Sequence, residues 1–319
     1  MTILPQSDGL IGSSGVLRTV LELIRQVAAT DSSVLLLGET GTGKELVARA
    51  IHKRSKRSAN QMIKVNCAAL PANLVESELF GHEKGSFTGA TDRRIGKFEQ
   101  SQNSTLFLDE IGDMPFEMQV KLLRAVQEKE IERVGSKSTL KTDVRIIAAT
   151  NRNLEMEVIK GRFRSDLYYR LNVFPIEMPA LRERKEDIPV LVNYFLGQHS
   201  GNRGNKMVSV SPGVLKSLMD YDWPGNIREL EHIIERAMLM SSGSVLNKIA
   251  LPGLKITDAL YSEGKIKTID EVERDHILFV LRKTNGKVRG NGGAAELLKI
   301  APSTLQSKMK KLGIRKVAF

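Results

Sequence analysis

The chain has few residues of the kinds that form covalent crosslinks or metal cages. Among its 319 residues there is one cysteine, Cys67, which excludes internal disulfides and thiolate-only metal sites. The five histidines show no metal-ligand spacing, so no structural zinc is expected. No apolar run approaches the roughly 18 residues of a membrane-spanning helix. The N-terminal segment also lacks a basic start followed by an apolar stretch. These absences predict a cytoplasmic protein without a membrane segment. Cys67 is expected to fill a small core space at a strand end.

Composition and charge indicate a multidomain protein with an unusually basic tail. Hydrophobic residues make up 41% and charged residues 27%, which are ordinary globular proportions, and the length predicts two or three domains. The net charge of +11 is uneven, because the segment 286–319 carries eight basic side chains against one acid, Glu296. Such a tail favours contact with nucleic acid. A basic face that serves only solubility is the alternative.

Strand-like and helix-like segments alternate over the first half of the chain. The run SVLLLG at 33–38 is typical of a buried parallel strand, and similar runs recur between helical segments. This alternation predicts an α/β fold with a parallel sheet covered by helices. Beyond VFPIEMPAL (173–181) the strand signals stop and the segments are helical. The expected organisation is an α/β subdomain at 1–179, an α-helical subdomain at 180–251, a linker at 252–267 and a small all-α unit at 268–319.

The last unit has the pattern of a helix-turn-helix. Ile269, Val272, Phe279 and Val280 fall on one face of its first predicted helix. A turn at APS and a basic final helix follow, as in DNA-binding units of this type. A basic helix in a mere oligomerisation module is the alternative. The candidate groove or phosphate contacts are Ser303, Thr304, Gln306, Ser307, Lys308 and Lys310.

The segment GETGTGKE, Gly38 to Glu45, directly follows the first strand and opens a helix. This is the context of a phosphate-binding P-loop, in which backbone N–H groups surround the phosphates and Lys44 reaches the terminal ones. The general pattern ends in Ser or Thr to ligate Mg²⁺, whereas Glu45 stands here, so Thr42 or water is expected to help hold the metal. A glycine-rich turn without ligand is the alternative reading.

Two adjacent acids, Asp109 and Glu110, end the hydrophobic strand STLFLDE. An acid at a strand end beside a P-loop holds Mg²⁺, and the next one polarises the attacking water, which is the division of labour that phosphoryl transfer needs. Solvated turn residues are the alternative. Together with the P-loop, the pair predicts an ATP hydrolase.

Further polar groups end later elements. Thr150 and Asn151 follow a strand, where an amide can sense the γ-phosphate or orient water. Arg164 and Arg170 lie outside any evident core and are suited to act on a neighbouring subunit's ATP, because an arginine stabilises the transition-state charge strongly. A pair of surface salt bridges is the alternative. Arg228, in WPGNIREL, begins a helix and is expected to contact the same phosphates.

The stretch HEKGSFTGATDRR (82–94) places one apolar ring, Phe87, between glycines in a predicted loop. Burying a phenylalanine is worth roughly 1.5–3 kcal/mol, which an exposed loop tip forgoes unless a partner covers it. The alternative is a ring folded back on its own domain.

With these residues assembled, the chain resembles the bacterial enhancer-binding proteins, AAA+ ATPases that activate sigma-54 RNA polymerase. The resemblance runs from LIGSSG through WPGNIREL to a C-terminal Fis-type helix-turn-helix. Its most specific element is GSFTGA (85–90), which matches the family signature GAFTGA except at Ser86. The segments ELFGHEKG and FRSDLYYRL also match, and GKE is common in the family's P-loop. The resemblance implies a P-loop AAA+ domain followed by an α-helical lid.

The resemblance also implies roles for individual residues. Glu110 would be the catalytic carboxylate, Asn66 the polar residue that holds it until the γ-phosphate is present, and Arg164 and Arg170 the arginines acting across a ring, usually a hexamer. A second loop at 131–141 would support the first. The residues that would contact sigma-54 are Gly85, Ser86, Phe87, Thr88, Gly89 and Ala90. The residues that would bind ATP and Mg²⁺ are Ile11, Gly12, Gly38, Glu39, Thr40, Gly41, Thr42, Gly43, Lys44, Glu45, Asp109 and Arg228. Asn151 would be among the catalytic residues.

The partners implied are sigma-54 and RNA polymerase, double-stranded DNA upstream of promoters, and further copies of this chain as dimer and hexamer. Relatives usually carry an N-terminal regulatory domain, so control by a separate protein or loss of such a domain is expected. A sigma-54-independent DNA-binding regulator, with an AAA+ core used for ligand-controlled oligomerisation, is the first alternative, although such proteins usually have a degraded loop motif. A DNA-remodelling motor related to clamp loaders is the second, but that class should lack the loop and the helix-turn-helix.

Overall fold

The computed structural model describes residues 9–71, 74–87, 89–200, 209–241, 244–252, 268–284, 286–290 and 292–314. The chain forms two compact units, 1–251 and 252–319. Apart from Pro252, the predicted linker at 252–267 lies outside the described residues. Within the described residues, no helix is both long and apolar enough to cross a membrane.

The first unit begins with alternating strands and helices. In chain order these are α1 (Gly15–Ala28), β1 (Val34–Leu37), α2 (Lys44–Lys53), β2 (Ile63–Asn66), α3 (Val75–Phe80), β3 (Gly81–His82), β4 (Arg94–Ile95), α4 (Lys97–Gln100), β5 (Ser104–Asp109), α5 (Phe116–Gln127), β6 (Glu130–Glu132), β7 (Thr139–Lys141), β8 (Val144–Thr150), α6 (Leu154–Ile159), α7 (Ser165–Leu171) and β9 (Phe174–Glu177). The predicted α/β class is confirmed.

The central sheet has five strands in the order β2-β5-β8-β1-β9, and all neighbours are parallel. Its inner strands are continuous apolar runs because helices cover both faces. Successive residues of β5 therefore enter opposite cores: Leu106 and Leu108 pack on one side and Phe107 on the other. The register pairs Asn66 with Asp109 and Leu37 with Thr150, so the strand ends that carry polar residues meet at one edge.

The rest of the first unit is the predicted helical subdomain. A 3₁₀ segment, Leu181–Asp187, leads into α8 (Ile188–Ser200), β10 (Ser209–Val210), α9 (Pro212–Asp220), α10 (Asn226–Met240) and β11 (Val245–Leu246). Trp223 is fully buried in its core and donates its indole N–H to the carbonyl of Leu218 at 2.8 Å. The expectation that strands stop after residue 181 is wrong for the short parallel pair β10 and β11, whose two-residue length leaves no periodicity to detect.

The second unit contains α11 (Ile269–Lys283), α12 (Ala294–Leu297) and α13 (Pro302–Lys311) in its described part. Its core includes Ile277, Leu281 and Leu305. The predicted apolar face of α11 is partly wrong, because Val272 and Phe279 are exposed while Val280 is buried. Helices α12 and α13 are joined by a short turn, and the side chain of Lys308 contacts Glu273 of α11.

Cys67 lies directly after β2 and is buried, as predicted. Burial raises the pKa of its thiol to about 12, with the Asp109 carboxylate acting in the same direction. The thiol is therefore protonated at neutral pH and has little nucleophilic character.

A buried arginine on β8 connects the sheet to the end of α1. Arg145 is almost fully buried, and its guanidinium donates to the carbonyls of Val27 at 2.7 Å and Ala28 at 3.1 Å. These carbonyls belong to the last turn of α1, beyond the regular intrahelical bonding. The carbonyl of Val27 also accepts from the N–H of Thr30 at 3.1 Å and from its hydroxyl at 2.9 Å. Burial lowers the pKa of Arg145, and the carboxylate of Asp31 opposes that shift.

We expect Arg145→Met to lower the free energy of unfolding by about 1–3 kcal/mol, because it removes two buried hydrogen bonds and takes the guanidinium donor away from the carbonyl of Ala28. Arg49→Met is the control: this side chain is 57% exposed and pairs with Glu45, so its loss should cost less than about 1 kcal/mol. Urea unfolding followed by circular dichroism measures both. Equal effects of the two substitutions would contradict the role assigned to Arg145.

Candidate functional site

The loop between β1 and α2 has the backbone of a phosphate-binding turn. Gly38, Gly41 and Gly43 have φ values of 142°, 80° and 100°, which side-chain-bearing residues rarely adopt. A Cβ at Gly41 would lie 2.4 Å from the carbonyl oxygen of Gly225, so this glycine is also required for close approach to the helical subdomain. The ten-residue helix α2 begins at Lys44 and directs its N-terminus into the loop.

Lys44 lies inside this loop. Its ammonium donates to the carbonyls of Gly38 at 2.7 Å and Glu39 at 3.2 Å, and lies 4.0 Å from a carboxylate oxygen of Glu110. Burial lowers the pKa of Lys44, while the carboxylates of Glu110 and Asp109 oppose the shift. The buried hydroxyl of Thr42 donates to the carbonyl of Glu39 at 2.8 Å.

The side chain of Glu45, unlike that of Lys44, bonds to side chains outside the loop. Its carboxylate accepts from Arg49 at 2.7 Å and is contacted by Lys64 of the edge strand β2. Burial would raise the pKa of Glu45, but these two cations outweigh it and lower the pKa. Only the backbone of Glu45, in the first turn of α2, therefore belongs to the loop.

The acids at the end of β5 lie beside the P-loop. Glu110 has a left-handed backbone, with φ of 51° and ψ of 50°, which turns the chain sharply after Asp109. One carboxylate oxygen of Glu110 accepts from the backbone N–H of Asn151 at 3.1 Å. The side-chain amide of Asn151 in turn donates to the hydroxyl of Thr40 at 2.9 Å. The predicted group of Glu110, Asn151 and the P-loop is therefore brought together.

The expected contact between Asn66 and Glu110 is not among the hydrogen bonds of the described residues. Asn66 ends the strand next to β5, but its side-chain oxygen accepts from the backbone N–H groups of Ala68 at 3.0 Å and Ala69 at 3.2 Å. This local turn satisfies the amide oxygen, and Glu110 is held by the Asn151 backbone instead. Asn66 is thus near the acids through its strand rather than through its side chain.

The helical subdomain contacts the P-loop through Glu39. Its carboxylate accepts two hydrogen bonds from Arg182, at 2.6 and 2.9 Å, and one from Asn226 at 3.0 Å. The hydrogen bonds from Arg182, and then from Asn226, lower the pKa of Glu39 to about 2. We call Glu39, Arg182 and Asn226 the Glu39 cluster. The segment WPGNIREL contains Asn226, but the sequence analysis assigned no role to Asn226 or to Arg182.

A second set of contacts anchors the segment before α1. Asp187 accepts from the backbone N–H groups of Ser13 at 2.6 Å and Ser14 at 2.8 Å, and from the Ser14 hydroxyl at 2.6 Å. A Cβ at Gly12 would come within 2.6 Å of Asp187, and Ile11 packs against the core of the helical subdomain. Buried Arg184 donates to the carbonyl of Thr42 at 3.0 Å. Sequence reasoning missed Asp187 and Arg184 because no motif marks them.

The arginines assigned to the site lie in two places. Arg228 is near the P-loop: its Cβ would be 3.2 Å from a Cβ at Gly41, and its charge acts on Lys44. Arg164, at the start of α7, pairs with Asp166 at 2.7 Å, which raises the pKa of the arginine. Arg170, at the other end of α7, is exposed. Ile159 of α6 and Tyr169 of α7 are also exposed.

The glycine-flanked loop projects from the short antiparallel pair β3 and β4. Its base is held by the segment after β6, since the N–H of Glu83 donates to the carbonyl of Val134 at 3.0 Å and the N–H of Val134 donates to the carbonyl of Gly81 at 2.9 Å. Arg133 strengthens this base with two hydrogen bonds to Glu99, at 2.6 and 2.8 Å, and one to Glu83 at 2.7 Å. These bonds raise the pKa of Arg133 and lower that of Glu99. The predicted support of this loop by residues 131–141 thus has direct contacts.

At the tip, Phe87 is 42% exposed, and its ring meets the edge of the His82 ring at a centroid distance of 5.0 Å. The Phe87 ring is neither fully exposed nor folded back completely on its own domain, because it contacts that domain on one side and solvent on the other. Gly85 donates to the carbonyl of Ala90 at 2.8 Å, which closes the loop, and Gly89 is exposed. Thr88 lies outside the described residues.

Ser86, the departure from the family signature, packs against Gly135. Its hydroxyl oxygen is buried and has no hydrogen-bond partner in the described part of the chain. A Cβ at Gly135 would lie 2.6 Å from the Cβ of Ser86. The loop tip and the 131–141 segment are therefore in van der Waals contact with no spare volume.

The DNA-contact candidates share the outer face of α13. Ser303, Thr304, Ser307 and Lys310 are exposed. Gln306 accepts a hydrogen bond from Arg289 at 2.7 Å, and Lys308 is half-buried against Glu273. Leu305 and Met309 point the other way, into the core.

Comparison with known sequences shows two matching families. Residues 10–177 match the family described as the sigma-54 interaction domain, and residues 182–258 match the AAA+ ATPase lid domain. The formate hydrogenlyase transcriptional activator of Salmonella typhimurium strain SL1344 is 52% identical over 312 residues, covering 97% of this chain and 45% of that protein. The transcriptional regulatory protein ZraR of Klebsiella oxytoca is 49% identical over 307 residues, covering 95% and 69%. The chain spans about half the length of the formate hydrogenlyase activators it matches.

Solved structures agree with the fold. The crystal structure of NtrX from Brucella abortus in complex with ATP is 34% identical, with a TM-score of 0.73 over 97% of this chain and 70% of that one. The structure of the same protein in complex with ADP has a TM-score of 0.73 and 35% identity, covering 95% and 69%.

The contact between Ser86 and Gly135 yields a stability test. Gly135→Ala should lower the free energy of unfolding by about 1–3 kcal/mol more than Gly161→Ala, because the added methyl group overpacks the loop. Gly161 is the matched control: φ is 68° there and 78° at Gly135, but nothing lies within 4 Å of its Cβ position. Ser86→Gly should recover most of the difference. Equal losses at the two glycines in thermal unfolding would contradict the contact.

Proposed function

The chain belongs to the family of sigma-54-interacting AAA+ transcriptional activators, and from this we propose that it uses ATP hydrolysis to activate sigma-54 RNA polymerase. The observation that carries the proposal is the presence of two features in one unit. A P-loop with adjacent acids lies at one edge of the sheet, and a glycine-flanked loop presents a half-exposed Phe87. The first suits nucleotide hydrolysis, and the second suits contact with another protein.

The P-loop residues fit ATP. Glycines with left-handed φ orient successive N–H groups towards an anion, and the N-terminus of α2 adds positive potential. The ammonium of Lys44 already lies inside the loop, where it bonds to carbonyls, and it would pair with phosphate oxygens there. Asp109 and Thr42 would hold Mg²⁺ together with the phosphates, and the ion would neutralise their charge. Within the described residues, no group of three or more His, Cys, Asp or Glu side chains could hold a metal ion.

Glu110 is the proposed base. The water oxygen bonds to the γ-phosphorus as the bond to the β–γ bridging oxygen breaks, and Glu110 takes the water proton. The Asn151 N–H and the ammonium of Lys44 hold this carboxylate near the loop. Asn66, at the end of β2, and Asn151, directly after β8, lie at the ends of the two strands that flank β5, and both are proposed to respond to the γ-phosphate. Arg228 contributes positive charge from the helical subdomain.

Arg164 and Arg170 are proposed to act on the ATP of a neighbouring copy in a ring, a hexamer. Support comes from α7 and the adjoining α6, which expose Tyr169 and Ile159, since exposed apolar side chains near cations suit a subunit interface. An arginine supplied in trans stabilises the transferring phosphoryl group and makes hydrolysis depend on assembly.

Phe87, with Thr88 and the flanking residues from Gly85 to Ala90, is the proposed contact with sigma-54. The loop base bonds to the 131–141 segment, whose far end continues into β8, the strand that ends at Thr150 next to Asn151. A change at the γ-phosphate therefore has a route to the loop along β8, through the 131–141 segment and across the hydrogen bonds of the loop base. The second unit is proposed to bind upstream DNA as a dimer through α13, and the protein is expected to act in the cytoplasm.

We expect Glu110→Gln to reduce ATP turnover by about 10²-fold or more while ATP binding is retained, because the amide is isosteric but cannot accept the proton. Phosphate release measures turnover, and equilibrium binding of a fluorescent ATP analogue measures affinity. Glu117→Gln, at an exposed position of α5, is the control and should hydrolyse ATP as the wild type does. Full turnover by Glu110→Gln would reject the assigned base.

Purified sigma-54 should form a complex with this protein in the presence of ADP and aluminium fluoride, and Phe87→Ala should abolish that complex without loss of ATPase activity. Phe116→Ala is the matched control, since Phe116 is 49% exposed on the same unit but lies outside the loop. Size-exclusion chromatography checks the complex. ATPase activity and DNA binding without any sigma-54 complex would instead favour a sigma-54-independent regulator.

A further inference from the structure

The residue after the first glycine of the P-loop, Glu39, is an acid in a loop suited to binding phosphates. An unneutralised carboxylate there would repel ATP. Arg182 meets it with a two-pronged pair at 2.6 and 2.9 Å, the geometry in which a guanidinium matches a carboxylate best. Arg182 lies in the 3₁₀ segment that enters the helical subdomain, 143 residues away in sequence.

The same subdomain also holds the backbone of the loop. Asn226 is fully buried, and its amide nitrogen donates to the carboxylate of Glu39 at 3.0 Å and to the carbonyl of Thr40 at 3.1 Å. The oxygen of Asn226 accepts from the N–H of Leu181 at 2.8 Å, and the N–H of Ile227 donates to the carbonyl of Gly41 at 3.0 Å. Because these carbonyls are held from the side of the helical subdomain, the peptide planes of the loop are set by that subdomain.

We propose that Glu39 is a positioning residue, and that the Glu39 cluster couples the P-loop to the helical subdomain, with Arg182 cancelling a charge that otherwise opposes nucleotide binding. This deepens the proposed function and rests on it, since it assigns the cluster to the same nucleotide site. Neither Glu39 nor Arg182 needs to touch the nucleotide. Their pair sets the orientation of the loop and joins the start of α10, which carries Arg228, to the phosphate site.

The exposure of the pair argues for positioning rather than for stability. The side chains of Glu39 and Arg182 are 44% and 40% exposed. Ion pairs exposed to this degree contribute little to folding, typically under about 1 kcal/mol. Hydrogen bonding by Arg182 holds the pKa of Glu39 far below its usual range, so the pair stays charged at neutral pH. Its modest contribution is complete above the ordinary glutamate pKa and is lost as the pH falls towards 2.

The test compares Arg182→Ala with the double variant Glu39→Gln/Arg182→Ala. Arg182→Ala leaves the carboxylate without its cation and should raise the Kd for ADP, and the KM for ATP, by about 5- to 10-fold. The double variant removes that carboxylate and should return both values to within about threefold of the wild type. Rescue by a neutral residue is the readout that a merely structural role of Arg182 does not predict. Arg124→Ala, which removes an exposed ion pair of α5, is the control and should change neither value.

Three outcomes overturn the proposal. The first is a wild-type Kd in Arg182→Ala, and the second is no recovery of the Kd in the double variant. The third is a melting temperature of Arg182→Ala that falls equally with and without nucleotide. Kd is measured by calorimetry with ADP, so it is independent of hydrolysis. A wild-type protein that binds ADP but does not hydrolyse ATP would reject the proposed function, while the Kd comparison would still decide the role of the cluster. A wild-type protein that binds no nucleotide would reject both.

Discussion

The parallel register of β1, β2, β5 and β8 is the constraint on which the candidate site depends. Parallel strands end in the same direction, so residues that are far apart in sequence leave the sheet at one edge. The register pairs Asn66 with Asp109 and places Thr150 opposite the end of β1, from which the P-loop starts. Apolar side chains on both faces hold this register, because a shift of one strand by one residue would exchange the two buried faces of that strand.

The site is shared between the sheet and the helical subdomain. Glycines at the P-loop allow its carbonyls to face the start of α10, where Asn226 and Ile227 supply donors. Asp187 and Arg184 add buried polar contacts from the 3₁₀ segment, and each involves a partner more than 140 residues away. Most of these groups are buried and bonded, so the subdomain cannot turn away from the loop without leaving polar atoms unsatisfied.

The glycine-flanked loop combines a firm base with an exposed tip. Arg133 is buried between Glu99 and Glu83, and the backbone around Val134 continues the hydrogen bonding of the base. At the tip Phe87 has only one aromatic contact of its own domain, with His82, among the described residues. A stiff base with a partly exposed apolar end can transmit a displacement and still offer surface to a partner. The buried, unpartnered hydroxyl of Ser86 lies where these two parts meet.

Local patterns in the sequence determined the α/β alternation, the P-loop, the acid pair at the end of β5 and the loop around Phe87, since each depends on neighbours within a few residues. They did not predict which apolar residues of a helix the fold buries, nor the contacts between distant residues. Val272 and Phe279 share a face of α11 that the fold leaves exposed, and the hydrogen bond from the Asn151 N–H to Glu110 was not predicted. Only the tertiary structure decided that Arg182 and Asn226 meet Glu39, because chain folding brings them together across 143 and 187 residues, a separation at which no periodicity or motif carries information.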